Sequence, residues 1–343
     1  MFRRILVLVL VLCLVGTVNV FAEEDKNLEV EVNGKALEMP AKIMEGELFL
    51  PLRAVSEGLG FDVQWFGSKQ EITMNTSERD IHINLSEIKA TYNKHEAYIN
   101  GGYRTLDGRT YLRQDFYLDI LGLKVMWDKA AGKVVLESVE ENGIVINTVK
   151  KSAETDTLLI NIQYPELKGL DTAEVESRLN SSFAKLAEDA VNRGNIVEKD
   201  ILPEQTANGI KAEVYFNYQV KYNRNGLLSI VFYDYLYSGG AHGLTIQSSY
   251  SFDLKTGKEY GLKDFYEDGT DYVSIVSSQV KEQMEEREMT DYLTPFEAIM
   301  ADQAYYLSNK GLVIYFQAYE YYPYAAGIPE FTLNYPLQWV DKL

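Results

Sequence analysis

The sequence predicts an α+β protein of two domains: a duplicated small strand-helix-strand unit, then an antiparallel sheet packed by helices. Three observations predict this class: an internal repeat at a constant offset, long runs of alternating apolar residues, and a long amphipathic helical pattern. With 343 residues, the chain is long enough to bury two separate cores.

Residues 1–22 are predicted to be a secretory signal peptide. Arg3 and Arg4 give a positive start, an apolar stretch follows, and Val20 and Ala22 occupy the positions of a small-residue cleavage site. The alternative is an uncleaved membrane anchor, but the apolar stretch is shorter than the roughly 20 residues that a membrane-spanning helix needs. We therefore expect a protein that is secreted or associated with the cell wall.

Cleavage at this site would remove Cys13, the only cysteine of the chain. The exported protein would then have no disulfide, thiolate metal site or cysteine nucleophile, and its stability would come from its core. No second apolar run of membrane length follows, so we expect no membrane span after cleavage.

The formal net charge is −18, and no basic patch stands out in the sequence. This charge argues against nucleic acid as a partner, because binding to phosphates requires clustered Lys and Arg. An acidic surface attracts cationic partners, although it can also serve only to keep an exported protein soluble.

Residues 46–74 and 108–136 are two copies of one pattern, related without a gap by an offset of 62. In each copy a short apolar strand leads into an amphipathic helix of two turns. The helix ends at Gly60 or Gly122, because glycine suits the left-handed C-cap conformation. Two copies predict a pseudo-symmetric pair rather than a solenoid, which needs at least three.

An alternating strand follows each helix and carries Trp65 in the first copy and Trp127 in the second. These tryptophans could be binding platforms, but their matched positions favour a place in the core.

The segments "VNGK" (Val32–Lys35) and "FLPLRAVSEGLGFDVQW" (Phe49–Trp65), together with the second copy, resemble the copper amine oxidase N-terminal-like domain. The resemblance covers residues 28–138 and implies a module of exported proteins of Gram-positive bacteria. The second copy departs from the pattern, since "YLRQD" replaces "FLPLR". In copper amine oxidases the catalytic copper lies in another domain, and this chain has only three histidines, so we expect no metal site and no cofactor.

The segment "VEENGIVINT", residues 139–148, is predicted to be a linker, and residues 149–343 a second domain. The clearest helix of the chain lies at 171–194, where Asp171 and Glu174 predict a capping box and Gly194 predicts the end. Its apolar stripe consists of Val175, Leu179, Phe183, Leu186 and Ala190.

Strands dominate the rest of this domain. The run 212–222 alternates, with Val214, Phe216, Tyr218, Val220 and Tyr222 on one face. Hairpin turns are predicted at "NRNG" (223–226) and at residues 308–311. A second helix is predicted near residues 271–288, with Tyr272, Ile275, Val276 and Val280 facing inward.

The stretch "YSGGAHG", Tyr237–Gly243, has three interpretations. Ser238 and His242 could form a nucleophile–base pair, but no orienting acid is identified. As a metal site, His242 lacks a neighbour at ligand spacing. The favoured interpretation is a turn, in which the glycines allow positive φ and His242 hydrogen-bonds across the loop.

Tyrosines crowd the segment 315–324, where Pro323 interrupts them. Tyrosine is rigid and amphipathic and suits contact with proteins or sugars, although a purely structural role is the other interpretation. The candidate ligand-binding residues are Ser238, His242, Tyr319, Tyr321, Tyr322 and Tyr324.

Three motifs occur in order: "YSGGAHG", "FDLKTGK" (Phe252–Lys258) and "GLVIYFQAYEYYPYAAGIPEF" (Gly311–Phe331). Together they resemble the extracellular domain shared by RsiV-type anti-sigma factors and the peptidoglycan deacetylase PdaC, over residues 144–343. The resemblance implies a domain that acts as a lysozyme receptor in the RsiV branch, with these loops in or near the contact. One departure is Ala318, where the family often has proline.

We therefore expect an exported, non-enzymatic binding protein of the cell envelope, whose ligand is a lysozyme-type muramidase or the glycan of peptidoglycan. Only Met1–Arg4 precede the apolar stretch and no deacetylase domain follows, so we expect neither an anti-sigma factor nor a deacetylase. The alternatives are an enzyme that modifies cell-wall glycan and a purely structural wall module.

Overall fold

The computed structural model describes residues 27–76, 80–92, 95–99, 102–128, 130–290 and 292–333. The predicted signal peptide, residues 1–22, lies outside these ranges. The described chain is a mixed α+β structure with several largely antiparallel sheets and few helices, which confirms the predicted fold class. None of the helices in these ranges is both long enough and apolar enough to cross a membrane.

The N-terminal part consists of two sheets and two short helices. Its strands are β1 (Asn27–Val32), β2 (Lys35–Met44), β3 (Glu47–Pro51), β4 (Asp62–Phe66), β5 (Glu71–Asn75), β6 (Asp80–Asn84), β7 (Lys89–Tyr92), β8 (His95–Tyr98), β9 (Tyr103–Leu106), β10 (Arg109–Arg113), β11 (Lys124–Asp128) and β12 (Lys133–Glu137). Its helices are α1 (Leu52–Gly58) and a π-helix (Phe116–Ile120).

The repeat forms a pseudo-symmetric pair. One sheet has the order β11-β12-β1-β2-β3-β10-β9 and the other β4-β5-β6-β7-β8. Strands β3 and β10 occupy equivalent positions in the two copies and pair antiparallel, with Leu50 opposite Leu112. Because these two leucines are related by the offset of 62, the pseudo-twofold axis passes between them.

The two copies differ in detail. Gly60 and Gly122 both have positive φ, 89° and 66°, as their C-terminal positions predict. The second helix, however, is a π-helix rather than an α-helix. Trp127 packs against the core, but Trp65 is 48% exposed on β4, so the prediction that both tryptophans are core residues is wrong for Trp65.

The C-terminal part begins with β13 at Val145, so the last four residues of the predicted linker already belong to a sheet. Its strands are β13 (Val145–Glu154), β14 (Leu158–Lys168), β15 (Ala212–Arg224), β16 (Leu227–Tyr237), β17 (Leu244–Asp253), β18 (Glu259–Tyr260), β19 (Tyr305–Ser308), β20 (Gly311–Tyr315) and β21 (Glu330–Thr332). Its α-helices are α2 (Ala173–Val197), α3 (Pro203–Ala207) and α4 (Tyr272–Glu286), with 3-10 turns at Glu198–Asp200, Leu262–Phe265 and Tyr324–Ala326.

Four layers stack in this part. Helix α2 covers one face of the sheet β13-β14-β15-β16-β17-β18, which we call the large sheet. The small sheet β19-β20-β21 packs on the opposite face through Val313 and Tyr315 against Val231. Helix α4 then covers the small sheet from outside. Strands β14 and β15 are parallel because α2 connects them as a crossover.

The predicted hairpins are confirmed. The turn between β15 and β16 consists of Asn225 and Gly226, both with positive φ, as a two-residue type I′ turn requires. The turn at 308–311 joins β19 to β20. In α4, Val276 and Val280 are buried as predicted, but Ile275 lies on the exposed side, because Ser277 and Met284 complete the buried stripe instead.

Helix α2 starts and ends differently from its prediction. Its N-cap is Thr172 and no side chain caps the helix, so the predicted capping box is wrong. Glu176 instead accepts hydrogen bonds from the backbone of Gly169 and Leu170. The helix also continues through Gly194 to Val197, because Gly194 is buried against Val214 rather than placed at a C-cap.

Candidate functional site

The loop between β16 and β17 contains the stretch singled out in the sequence. Of its three glycines only Gly239 has a positive φ, 82°, and its carbonyl accepts a hydrogen bond from the Gln205 side chain. Gly243 is needed for a different reason. A Cβ at this position would lie 2.3–2.4 Å from the Tyr235 ring and hydroxyl, so the tyrosine packs directly on the glycine backbone. Gly240 has open space around it.

The connection between β20 and β21 reaches the same place from the other side. The Gln317 side chain donates to the Gln247 carbonyl at 2.7 Å and accepts from the Gln247 amide at 3.1 Å, which fixes this connection to β17. The tight turn that follows holds Tyr319 at φ 70°, a conformation that is uncommon for a residue other than glycine. Its amide donates to the Tyr322 carbonyl.

These two segments bring His242, Tyr319 and Tyr324 together in an exposed group that we call the aromatic cluster. The rings of His242 and Tyr324 stack with centroids 4.1 Å apart and an interplanar angle of 21°. The Tyr319 hydroxyl lies 3.2 Å from His242 Nε2, and the Tyr319 and Tyr324 rings lie 5.7 Å apart. Tyr319 and Tyr324 are 48% and 39% exposed, so the cluster presents its rings to solvent.

The hydrogen bonds of His242 argue against a nucleophile–base pair. Its Nδ1 lies 2.9 Å from the Gly243 carbonyl and its Nε2 faces the Tyr319 hydroxyl, so both ring nitrogens are engaged without Ser238. Ser238 itself is exposed at the end of β16. Over the ranges that the structure describes, no group of three or more His, Cys, Asp or Glu side chains could hold a metal ion.

Three of the six candidate residues lie apart from the cluster, namely the exposed Ser238 together with Tyr321 and Tyr322. Tyr322 is only 3% exposed and packs against Tyr292, and burial together with the nearby Tyr292 hydroxyl raises the pKa of Tyr322 well above its usual value. Tyr321 packs edge-on against Phe316 and Phe296. The structure therefore brings together His242, Tyr319 and Tyr324, and places Tyr321 and Tyr322 in or against the core.

The motif "FDLKTGK" has a structural role in the fold. Burial works to raise the pKa of Asp253, but hydrogen bonds from the amides of Thr256 and Lys255 and from the Thr256 hydroxyl outweigh it, and the pKa is lowered. Arg178 of α2 donates to the Thr256 carbonyl, and Gly257 leaves room for that guanidinium. This turn therefore fastens the β17–β18 connection to α2.

Two further residues hold the cluster in place and are not predicted from the sequence, Gln317 and Tyr235. No local pattern identifies Gln317, because its partner Gln247 lies 70 residues away in the chain. Tyr235 lies on β16, outside the alternating run 212–222, and nothing in its local pattern indicates that it packs on Gly243.

The close approach of Tyr235 predicts different effects for two neighbouring glycines. Gly243→Ala is expected to push the Tyr235 ring away, to disturb the cluster next to it and to cost about 1–3 kcal/mol of stability, as overpacking does. Gly240→Ala is the matched control and is expected to change stability by less than about 0.5 kcal/mol. Urea denaturation measures both, and equal effects of the two substitutions would contradict the packing argument.

Three domain families match the chain in succession. Residues 31–136 match the copper amine oxidase N-terminal domain, residues 151–245 match the deacetylase PdaC family, and residues 263–336 match a protein family of unknown function, DUF3298. The chain therefore combines a copper amine oxidase N-terminal domain with a PdaC and DUF3298 arrangement, which confirms both resemblances seen in the sequence. The aromatic cluster joins the two C-terminal matches, since His242 lies in one and Tyr319 and Tyr324 in the other.

Curated relatives agree with this arrangement. The anti-sigma-V factor RsiV of Bacillus subtilis is 27% identical over 201 residues, or 55% of this chain and 67% of RsiV. The peptidoglycan-N-acetylmuramic acid deacetylase PdaC of the same organism is 23% identical, over 45% of this chain and 28% of PdaC. A protease inhibitor of Brevibacillus choshinensis is 29% identical, over 40% of this chain and 44% of the inhibitor. The chain thus spans about two thirds of RsiV and less than half of the other two.

Two solved structures of DUF3298 proteins also resemble the chain. The one from Bacteroides fragilis has a TM-score of 0.41 and 20% identity, and it covers 58% of this chain and 92% of its own. The one from Pseudomonas aeruginosa has a TM-score of 0.40 and 17% identity, and it covers 59% of this chain and 94% of its own.

Proposed function

We propose that this protein is an exported, non-enzymatic binding protein of the cell envelope, and that its aromatic cluster contacts a lysozyme-type muramidase. The observation that carries the proposal is the cluster itself. His242, Tyr319 and Tyr324 come from two distant segments, stack on one another and remain exposed. Exposed aromatic groups held in fixed positions suit recognition, because little conformational entropy is lost when a ligand covers them.

The relatives support a protein ligand. An anti-sigma factor and a protease inhibitor are both, by their names, proteins that act on another protein by binding it. The resemblance to the RsiV-type domain adds lysozyme as the specific candidate, with the cluster residues in the matching loops. The net charge of −18 favours a basic ligand of this kind.

The geometry gives less support to the alternative function, an enzyme that modifies cell-wall glycan. A catalytic site needs convergent polar groups in a concave place. The cleft of about 340 Å³ between β14 and α2 shares no residue with the cluster. The two ring nitrogens of His242 contact the Gly243 carbonyl and the Tyr319 hydroxyl rather than Ser238. PdaC is a peptidoglycan deacetylase by name, so cell-wall glycan remains the second candidate ligand, bound rather than modified.

Titration of the immobilised protein with hen egg-white lysozyme tests the proposal. We expect saturable binding that weakens as salt increases, because opposite charges attract the partners. Tyr324→Ala is expected to weaken this binding by about tenfold or more, since exposed aromatic anchors dominate interfaces. Removal of the ring leaves the buried core untouched, so the circular dichroism spectrum should stay unchanged.

Trp65→Ala is the matched control, because Trp65 is also an exposed aromatic residue but lies on β4, outside the C-terminal part. It should leave lysozyme affinity within about twofold of the wild type, as surface residues outside an interface do. A parallel sedimentation assay with purified peptidoglycan examines the glycan. Absence of binding to lysozyme would overturn the proposal, and binding to peptidoglycan alone would assign the cluster to the glycan.

A further inference from the structure

On the face of the large sheet opposite α2, one glutamate and three tyrosines lie beside the aromatic cluster. Along β15, Val214 and Phe216 point toward α2 and are buried, so Glu213 and Tyr215 point to the other side. Tyr235 and Tyr237 of β16 share that side, because Tyr235 pairs with Tyr215 and Tyr237 pairs with Glu213. Residues directly opposite in paired strands are about 5 Å apart at Cβ, so the four side chains are neighbours.

The tyrosines of this group are held in place. Tyr215 and Tyr235 form an edge-to-face pair with centroids 5.7 Å apart. The hydroxyl of Tyr237 donates to the Gly240 carbonyl at 3.0 Å. Tyr235 packs on Gly243, next to His242, so this group and the aromatic cluster form one continuous surface.

The small sheet leaves this region of the large sheet open. It covers Val231 and Tyr233, while Tyr215, further along the same face, is 38% exposed. Lys211, two residues from Glu213, is engaged by Glu154 at 2.7 Å and by the Thr155 carbonyl. Among the residues that the structure describes, no cation forms an ion pair with Glu213.

We propose that Glu213, Tyr215, Tyr235 and Tyr237 form a subsite for one cationic side chain, arginine or lysine, of a basic protein ligand. This inference rests on the proposed function and specifies what the ligand must present next to the aromatic cluster. The carboxylate of Glu213 supplies a charge-assisted hydrogen bond. The tyrosine rings attract the same cation through their faces and shield it from water.

Charge complementarity selects this occupant. The chain is strongly acidic, and the carboxylate of Glu213 beside these tyrosines would repel an anion. A divalent metal ion would need several oxygen ligands, whereas this group offers one carboxylate. A cationic side chain is attracted by the acidic surface and needs only one carboxylate as its partner. A protein bound at the adjacent aromatic cluster would place such a side chain next to Glu213.

Two titrations test the subsite, one with hen egg-white lysozyme and one with a tri-arginine amide peptide. Glu213→Gln keeps the shape and removes the charge, and it is expected to weaken lysozyme binding at least tenfold and to abolish peptide-induced NMR shifts of the tyrosines. Glu282→Gln makes the same charge change on the exposed side of α4 and should leave both responses within twofold. Indistinguishable effects of the two substitutions would overturn the subsite.

The design separates this inference from the proposed function. If lysozyme binds and Tyr324→Ala weakens it while Glu213→Gln does not, the function stands and the subsite is wrong. If lysozyme does not bind the wild type, the proposed function fails, and the tri-arginine titration alone decides the subsite. Tyr215→Ala gives a second variant, which should weaken the peptide response because the ring face is lost.

Discussion

Phe183→Ala is expected to lower the free energy of unfolding of the C-terminal part by about 3–5 kcal/mol, the range for loss of a buried aromatic ring. Phe183 is fully buried in α2, with its ring 5.7 Å from Phe232 and 5.8 Å from Phe252. It therefore joins the helix to two adjacent strands. Its removal leaves a cavity at the point where α2 presses on the large sheet, and the rigid rings around it collapse poorly into the space.

Hydrogen exchange followed by mass spectrometry measures this effect for each part of the chain. Peptides from β14 to β17 should lose protection, while peptides from β1 to β12 should keep it, because the N-terminal part has a separate core. Ile196→Ala in the same helix is the control. Ile196 is 62% exposed, and its truncation should change stability by less than about 0.5 kcal/mol. A loss of protection in both parts would contradict the separation of the cores.

The stripe that contains Phe183 was predictable because helical periodicity is a local property of the sequence. The hairpin at Asn225 and Gly226 was predictable for the same reason, since Asn and Gly are the residue types that most readily adopt the positive φ of this turn. The repeat also revealed the pseudo-symmetric pair, although the pairing of Leu50 with Leu112 at its axis became visible only in the structure.

The predictions that were wrong or missing share a different cause. In each case a tertiary contact decides whether the side chain is buried and which residue it contacts. Trp65 and Trp127 occupy matched positions in the repeat, yet only Trp127 has a partner surface to cover it. Tyr322 and Tyr324 are two residues apart in an aromatic run, and the sequence does not distinguish the buried one from the exposed one. The contact between His242 and Tyr319 joins residues 77 positions apart, which a single sequence does not reveal.

At Gly194, packing against the neighbouring strand β15 overrides a local signal of the sequence. Glycine near the end of a helical pattern usually marks a C-cap. Here it lies inside α2, where alanine would normally stabilise the helix by about 1 kcal/mol. A Cβ at this position, however, would lie 2.3 Å from Cγ2 of Val214 on β15. Gly194 therefore allows the helix to approach the large sheet closely.

We expect Gly194→Ala to destabilise the C-terminal part by about 1–3 kcal/mol, because the steric conflict with Val214 exceeds the gain in helix propensity. A double-mutant cycle with Val214→Ala isolates this contact. Val214→Ala alone should cost stability through its cavity, but in that background Gly194→Ala should be neutral or stabilising, which gives a coupling of about 1–3 kcal/mol. Additive effects in urea denaturation would mean that Gly194 acts through backbone flexibility instead. If Gly194→Ala destabilises the wild type but stabilises the Val214→Ala variant, the absence of one methyl group at Gly194 sets the distance between α2 and the large sheet. The proposed subsite lies on the other face of that sheet.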